Sequence, residues 1–225
     1  MLDKFKKIAA HAAINYINNN NNINIIGIGT GTTIKYFINM LSSIKNKING
    51  FVSTSISSTI ELKKYDFHIY DSNEVNSIDI YFDSADEINK KMEMIKGGGA
   101  ALTNEKIVSS IAKIFICIVD QSKHVKILGK KHPLPIEIIP LAKSYIFKEL
   151  SKLGGHPKHR KGIITEHGNI IIDIYNLDIS KPVKLEKYIN SITGVVTVGL
   201  FANRCADIII TGNYDYTVSI IDNKK

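Results

Sequence analysis

Short, nearly all-apolar runs alternate with segments of helical spacing along most of this chain, and that alternation constrains the fold more than any other feature. NINIIGIG, FVSTS, FHIYD, IDIYFD, IFICIVD and ADIIITG read as strands. Between them, TTIKYFINMLSSI, SSTIELKKY and TNEKIVSSIAK carry apolar residues at helical intervals. Strands that are apolar on both faces and separated by helices build a parallel sheet covered on both sides. The opening MLDKFKKIAAHAAINYI places Leu2, Phe5, Ile8, Ala9, Ala12, Ala13, Tyr16 and Ile17 at helical spacing, which predicts an amphipathic first helix and not a signal peptide.

The pattern changes after Asp120. HPLPIEIIP reads as an extended crossing segment, and LAKSYIFKELSKLGG as a helix closed by Gly154 and Gly155. GIITEHGNIIIDIY predicts two strands around His167-Gly168, KLEKYINSI a helix and VVTVGLF a strand. That order is of the split-βαβ kind. The expected fold class is α/β, a Rossmann-like parallel-sheet domain with an inserted smaller α+β domain. The expected boundaries are 1–128 plus 204–225 for the first and 129–203 for the second.

Composition narrows the function classes. The chain has 225 residues, 44% hydrophobic and 22% charged, a soluble globular balance with no run long enough to cross a membrane. The net charge of +8 is compatible with anionic substrates. Ile, Asn and Lys are overused together, as AT-rich codons dictate, and the lysines form no basic stripe interleaved with aromatics, so no nucleic-acid partner is expected. Cys117 and Cys205 lack CxxC partners, and Cys117 lies in an apolar run, which predicts a buried thiol and no zinc or disulfide framework.

Four segments carry candidate chemistry. GIGTGTT, residues 27–33, follows a strand and opens a helix, where backbone N–H groups hold an anion. It matches neither the dinucleotide fingerprint nor the P-loop. It suits one phosphate or sugar hydroxyls, with Thr32 and Thr33 adding their own. DSADE places Asp83 and Asp86 at a strand's carboxyl end, where open parallel sheets bind ligands. A capped turn is the plain alternative there, and a metal site would want more ligands. KGGGAALTNEK combines Lys96, three glycines whose amides can approach a substrate closely, and Glu105. Thr103 reads as the N-cap of the following helix, which would put Glu105 at its second position with its carboxylate turned toward the glycines. An amide cradle, a lysine and a carboxylate suit removal of a proton beside a carbonyl. VDQSK projects Lys123 from the same sheet edge, as a point charge for phosphate. HPKHRKG reads as a solvated cationic loop.

In order, GIGTGTT, DSADEI, KGGGAALTNEKIV, VDQSK, LPIEIIP, LGGHPKHRKG and GVVTVGLFANRCAD strongly resemble the ribose-5-phosphate isomerase A family over nearly the whole chain. The resemblance implies interconversion of D-ribose 5-phosphate and D-ribulose 5-phosphate through an enediolate, in the non-oxidative pentose phosphate pathway. It implies an enzyme at least dimeric, with no metal and no organic cofactor; the first helix reads as that of a mature cytosolic protein, so a cytoplasmic location with no membrane or nucleic-acid partner is expected. Glu105 matches the family's proton acceptor. Thr30, Gly31, Thr32, Thr33, Asp83, Ser84, Ala85, Asp86, Lys96, Gly97, Gly98, Gly99 and Lys123 match its substrate-binding segments, and Lys6 matches a phosphate-contacting lysine. Asp83 and Asp86 would hold sugar hydroxyls and assist ring opening and proton transfer, with Lys96 beside them in the chemistry.

Three positions depart from the family's pattern. Ser84 and Cys205 stand where glycine is usual, and Thr32 where serine is. If position 84 needs a positive φ, serine costs about 1–2 kcal/mol there. Two other functions are carried by similar folds: sugar-phosphate sensing without catalysis and acyl-CoA transfer with a glutamate nucleophile. Sensing regulators add a DNA-binding helix-turn-helix, whereas a single helix precedes the first strand here. A site built around one phosphate, Thr33 and Lys123 suits a pentose phosphate and not CoA.

Overall fold

The computed structural model describes residues 2–20 and 22–223. In chain order the elements begin with helix α1 (Leu2–Asn18), strand β1 (Ile25–Ile28), α2 (Thr32–Leu41), β2 (Gly50–Ser53), α3 (Ile56–Lys63) and β3 (Ile78–Asp83). Two short strands, β4 (Glu87–Ile88) and β5 (Met94–Ile95), precede α4 (Leu102–Ile111) and β6 (Ala112–Asp120). Then follow β7 (Leu134–Ile138), α5 (Lys143–Ser151), β8 (His156–Ile164), β9 (Ile170–Tyr175), α6 (Pro182–Asn190) and β10 (Val195–Val198). The chain ends with β11 (Leu200–Phe201), β12 (Ile208–Gly212) and β13 (Val218–Asp222).

These elements form two compact units. The first comprises Met1–Ser84, Asn104–Lys123 and Ala206–Lys225; the second comprises Ala85–Thr103 and His124–Cys205. The segment 85–103 therefore groups with the second unit, and the expected boundary at 128/129 falls inside it.

The first unit is a six-stranded sheet in the order β13-β12-β6-β3-β1-β2, parallel except for the antiparallel edge β13. Period-two alternation sorts its side chains. Ile26 and Ile28, Ile80 and Phe82, Ile116 and Ile118, and Ile208 and Ile210 share one core with Ala9, Ala13 and Ile17 of α1 and Phe37, Ile38 and Leu41 of α2. The opposite parity holds Gly27, Tyr81, Phe115 and Cys117, with Val108 of α4 close against Gly27. Cys117 is buried, as its apolar neighbours predict. FHIYD does not become a strand of this sheet. It makes one bridge, Phe51 to Ile69, because only Phe51 on the edge strand β2 offers it backbone partners.

The second unit holds an antiparallel sheet ordered β10-β7-β9-β8. With α5 and α6 between its strands, this is the βαββαβ arrangement that the sequence order predicts. HPLPIEIIP is an interior strand, β7, and not a crossing segment; its Leu134, Ile136 and Ile138 are fully buried. HPKHRKG is the edge strand β8 and not a loop. A three-stranded sheet, β11-β5-β4, completes this unit, and the sequence reading did not foresee it.

Candidate active site

Strand order marks a candidate site in the first unit. Numbered along the chain, its parallel strands run 2-1-3-4-5, so the order reverses between β1 and β3. Ligands in such sheets bind beyond the carboxyl ends of the strands at that reversal. The segments leaving β1 and β3 there are Gly29–Thr33 and Asp83–Ser84.

Their geometry follows from complementary side-chain sizes on neighbouring strands. Gly27 pairs in register with Tyr81, and one period on Gly29 lies beside Asp83. A Cβ at Gly27 would stand 2.9 Å from the Tyr81 ring; one at Gly29 would stand 1.9 Å from the Asp83 carboxylate. These two glycines make room for the side chains of β3. Gly31 alone in the motif holds a left-handed φ, +106°, as it turns the chain into α2. The N–H groups of Thr32 and Thr33 then fall in the first turn of that helix, where intrahelical acceptors are missing.

Asp83 is fully buried and organises the site. Its Oδ1 accepts from Thr30 N–H at 3.1 Å and from Ser84 N–H at 2.7 Å, and its Oδ2 accepts from the Tyr81 hydroxyl. Ser84 Oγ donates to the Thr30 carbonyl at 3.2 Å. Ser84 is not among the positive-φ residues, so serine carries no backbone strain at this position. On the other side of the loop, Ser58 Oγ donates to the Gly29 carbonyl at 2.6 Å, and Ser55 caps α3 while reaching Thr30 Oγ1 at 3.3 Å.

Glu105 lies on α4 and is 2% exposed. Leu102, Glu105, Val108, Ser109 and Ala112 are the buried positions of this stretch, so the carboxylate occupies the core-facing stripe. The Thr103 N-cap is not observed. The helix starts at Leu102, and Thr103 Oγ1 instead donates to Glu137 Oε2 at 2.5 Å. The first turn thus starts at fully buried Leu102, two residues earlier than a Thr103 cap would set it. Burial, then the charges of Asp83 and of Glu105, push the Tyr81 phenol well above its ordinary value. Both carboxylates therefore bear on one buried hydroxyl.

Lys123 follows β6 in a short 3-10 turn held by Ser122, whose N–H and Oγ donate to buried Asp120. Asp120 pairs with Gly212 of β12, and Phe5, the neighbour of Lys6, packs its carbonyl against Gly212. Lys6 is ion-paired with Asp3 at 3.5 Å. Both lysines thus stand at the same sheet edge as Asp83, on the β6–β12 side.

The remaining predicted residues belong to the second unit. Ala85 is buried, and Asp86 Oδ2 accepts from Gly98 N–H at 2.8 Å. Lys96 is 3% exposed; its N–H donates to the Gly199 carbonyl, and its ammonium lies 5.4 Å from the Phe201 ring centroid. Gly97 has φ +103°, and Ala100 N–H closes a turn onto the Gly97 carbonyl. The amide cradle is thus only partly open, since Asp86 already takes the Gly98 N–H. A residue that the sequence reading missed sets this loop. Arg160 of β8 donates from Nη1 to the carbonyls of Gly97 and Gly98, both at 3.0 Å, and forks onto Asp173 through Nε and Nη2. No local pattern marks Arg160. Tyr81 had a signal, the matched spacing of Gly27-x-Gly29 and Tyr81-x-Asp83. Among the described residues no three His, Cys, Asp or Glu side chains gather as a metal site requires.

Residues 50–215 match the family model described as ribose 5-phosphate isomerase A (phosphoriboisomerase A). A relative named ribose-5-phosphate isomerase A, from Buchnera aphidicola subsp. Acyrthosiphon pisum, is 59% identical over 211 residues, covering 94% of this chain and 93% of its own length. One from Buchnera aphidicola subsp. Schizaphis graminum is 55% identical over 222 residues, 99% of each chain. Ribose 5-phosphate isomerase A from Neisseria gonorrhoeae superposes with a TM-score of 0.93 at 43% identity, covering 99% of this chain and 97% of that one. A D-ribose-5-phosphate isomerase solved with phospho-erythronic acid superposes with a TM-score of 0.92 at 36% identity, covering 99% of each.

Proposed function

The chain belongs to the ribose 5-phosphate isomerase A family, and on that premise we propose how its own residues carry the reaction, the interconversion of D-ribose 5-phosphate and D-ribulose 5-phosphate. Glu105 takes the proton from C2 of the open-chain aldose and returns it to C1 of the enediolate. Asp83 moves the hydroxyl proton between O1 and O2. Lys96, a buried ammonium, balances the charge that develops on the enediolate oxygen. Thr30 to Thr33, Lys123 and Lys6 bind the phosphate and the sugar, and the segments Ser84–Asp86 and Gly97–Gly99 complete the contacts. The relative holding phospho-erythronic acid supports a sugar-phosphate site. The same reading makes the protein a cytoplasmic homodimer.

The observation that carries this assignment is the burial of two carboxylates in the first unit, Asp83 bonded to the Tyr81 hydroxyl at the strand-order reversal and Glu105 on the core-facing stripe of α4. Two acids with separate surroundings can hold separate proton-transfer roles. The relatives are isomerases, so nothing here favours the sensing reading.

Glu105→Gln tests the base. The side chain is nearly isosteric and α4 does not depend on it for a cap. Substrate should still bind, while turnover falls by at least about 10²–10⁴-fold. Exchange of the C2 proton with solvent deuterium reads abstraction directly, in excess chelator. Near-normal exchange by the folded variant would give the base's role to another residue, with Asp83 first in line.

A further inference from the structure

We infer that Tyr81 is a positioning residue for the isomerisation: its hydroxyl holds the Asp83 carboxylate in one plane, and Gly27 is glycine because that ring must lie against β1. The inference rests on the assignment of Asp83 to the chemistry.

A carboxylate's terminal torsion is soft, so a grip on one oxygen does not fix its plane. Thr30 N–H and Ser84 N–H both hold Oδ1 of Asp83. The Tyr81 hydroxyl supplies the second point of attachment, at Oδ2. The ring that carries this hydroxyl is itself immobile. It is fully buried, it packs on Phe115 with centroids 4.9 Å apart, and it fills the place a Cβ of Gly27 would need. Burial and the two neighbouring carboxylates keep the phenol protonated, so it remains a donor throughout the range in which an isomerase works. A side chain that only filled the core at this position would need no hydroxyl. Bonded to a fully buried carboxylate, the hydroxyl instead fixes the direction in which Asp83 exchanges protons with a sugar oxygen.

Tyr81→Phe in the whole protein removes the oxygen and keeps the ring. We expect kcat to fall about 10- to 100-fold, the scale of an angstrom-level misplacement at a reacting group, with KM for ribose 5-phosphate within about 3-fold. In an Asp83→Asn background the same change should cost less than about 2-fold, because a residue acting through Asp83 has nothing left to position. Equal losses in both backgrounds, or a normal kcat for Tyr81→Phe beside a crippled Asp83→Asn, overturn the inference and leave the role of Asp83 standing. A fully active Asp83→Asn protein overturns the role of Asp83 and this inference with it. If Tyr81→Phe does not fold, 4-fluorophenylalanine at position 81 fills the hydroxyl's space with a group that cannot donate. It should lower kcat about 10- to 100-fold, as loss of the grip on Oδ2 requires. An unchanged kcat overturns the inference.

Discussion

Single atoms decide what is allowed beside Asp83. Gly29→Ala would place a Cβ 1.9 Å from the carboxylate, which is fully buried and held by Thr30, Ser84 and Tyr81, so it has no room to move aside. Activity should drop by about 10²-fold or more through displacement of Asp83. A steady-state assay on the folded variant checks this, and near-normal turnover would show that the β1–β3 edge can spread. Ser84 makes the opposite case. Because serine sits there without positive φ, Ser84→Gly relieves nothing; it loses the bond to the Thr30 carbonyl and adds chain entropy to the unfolded state. Urea unfolding should show a loss of about 0.5–1.5 kcal/mol. Greater stability than the parent would mean that the hydroxyl is strained where it lies.

At the scale of elements, the site depends on where strands and helices start and stop. Buried Leu102 begins α4, and the helical period then puts Glu105 on the core-facing stripe. A charged residue on such a stripe is costly unless it has a task, which makes it a usable sequence signal. The triple-glycine loop has no regular element of its own. Its form comes from the edge strand β8, through the Arg160 fork on Asp173 and two glycine carbonyls. Arg160→Lys keeps the charge and loses the fork. It should lower kcat/KM about 10- to 100-fold if those glycines contact substrate, with stability reduced by about 1.5–3 kcal/mol. A normal kcat/KM in a destabilised protein would confine Arg160 to holding the fold.

The whole molecule carries a net charge of +8 over 225 residues, yet its response to alkali should be set by two phenols that folding desolvates, fully buried Tyr81 and partly buried Tyr16. Tyr81 is raised well above 10.0 by burial and the charges of Asp83 and Glu105; Tyr16 is raised by burial and by Asp222 and Asp207. In the unfolded chain these phenols release protons near pH 10. The folded chain retains them, so above that pH the unfolded state binds fewer protons and stability declines as pH rises. For Tyr81 the slope should approach about 1.4 kcal/mol per pH unit. Urea midpoints at pH 9, 10 and 11 measure it, and tyrosine absorbance should show Tyr81 ionising only as the protein unfolds. A midpoint flat across that range would show that Tyr81 ionises in the native state.

Read alone, the sequence determined the alternation of strands and helices, the parallel sheet and the βαββαβ order of the second unit, and it marked the segments proposed to carry the chemistry. Each follows from local rules: side-chain period, apolar runs and glycine's freedom. It also pointed to Glu105, Asp83 and Lys123 through the residues around them. Other features lay beyond local rules because they join residues far apart in the chain. Gly27 and Gly29 looked like a phosphate loop until β3 was beside them, where Tyr81 and Asp83 fill their missing side chains. HPKHRKG looked like a solvated loop until β9 gave it hydrogen-bond partners and Asp173 gave Arg160 a counter-charge. FHIYD looked like a strand, but a run of residues becomes one only when a neighbour offers a full ladder, and β2 offers a single bridge. Local composition specifies what a segment can form, while hydrogen-bond partners and van der Waals room are properties of pairs, supplied only when the chain has folded.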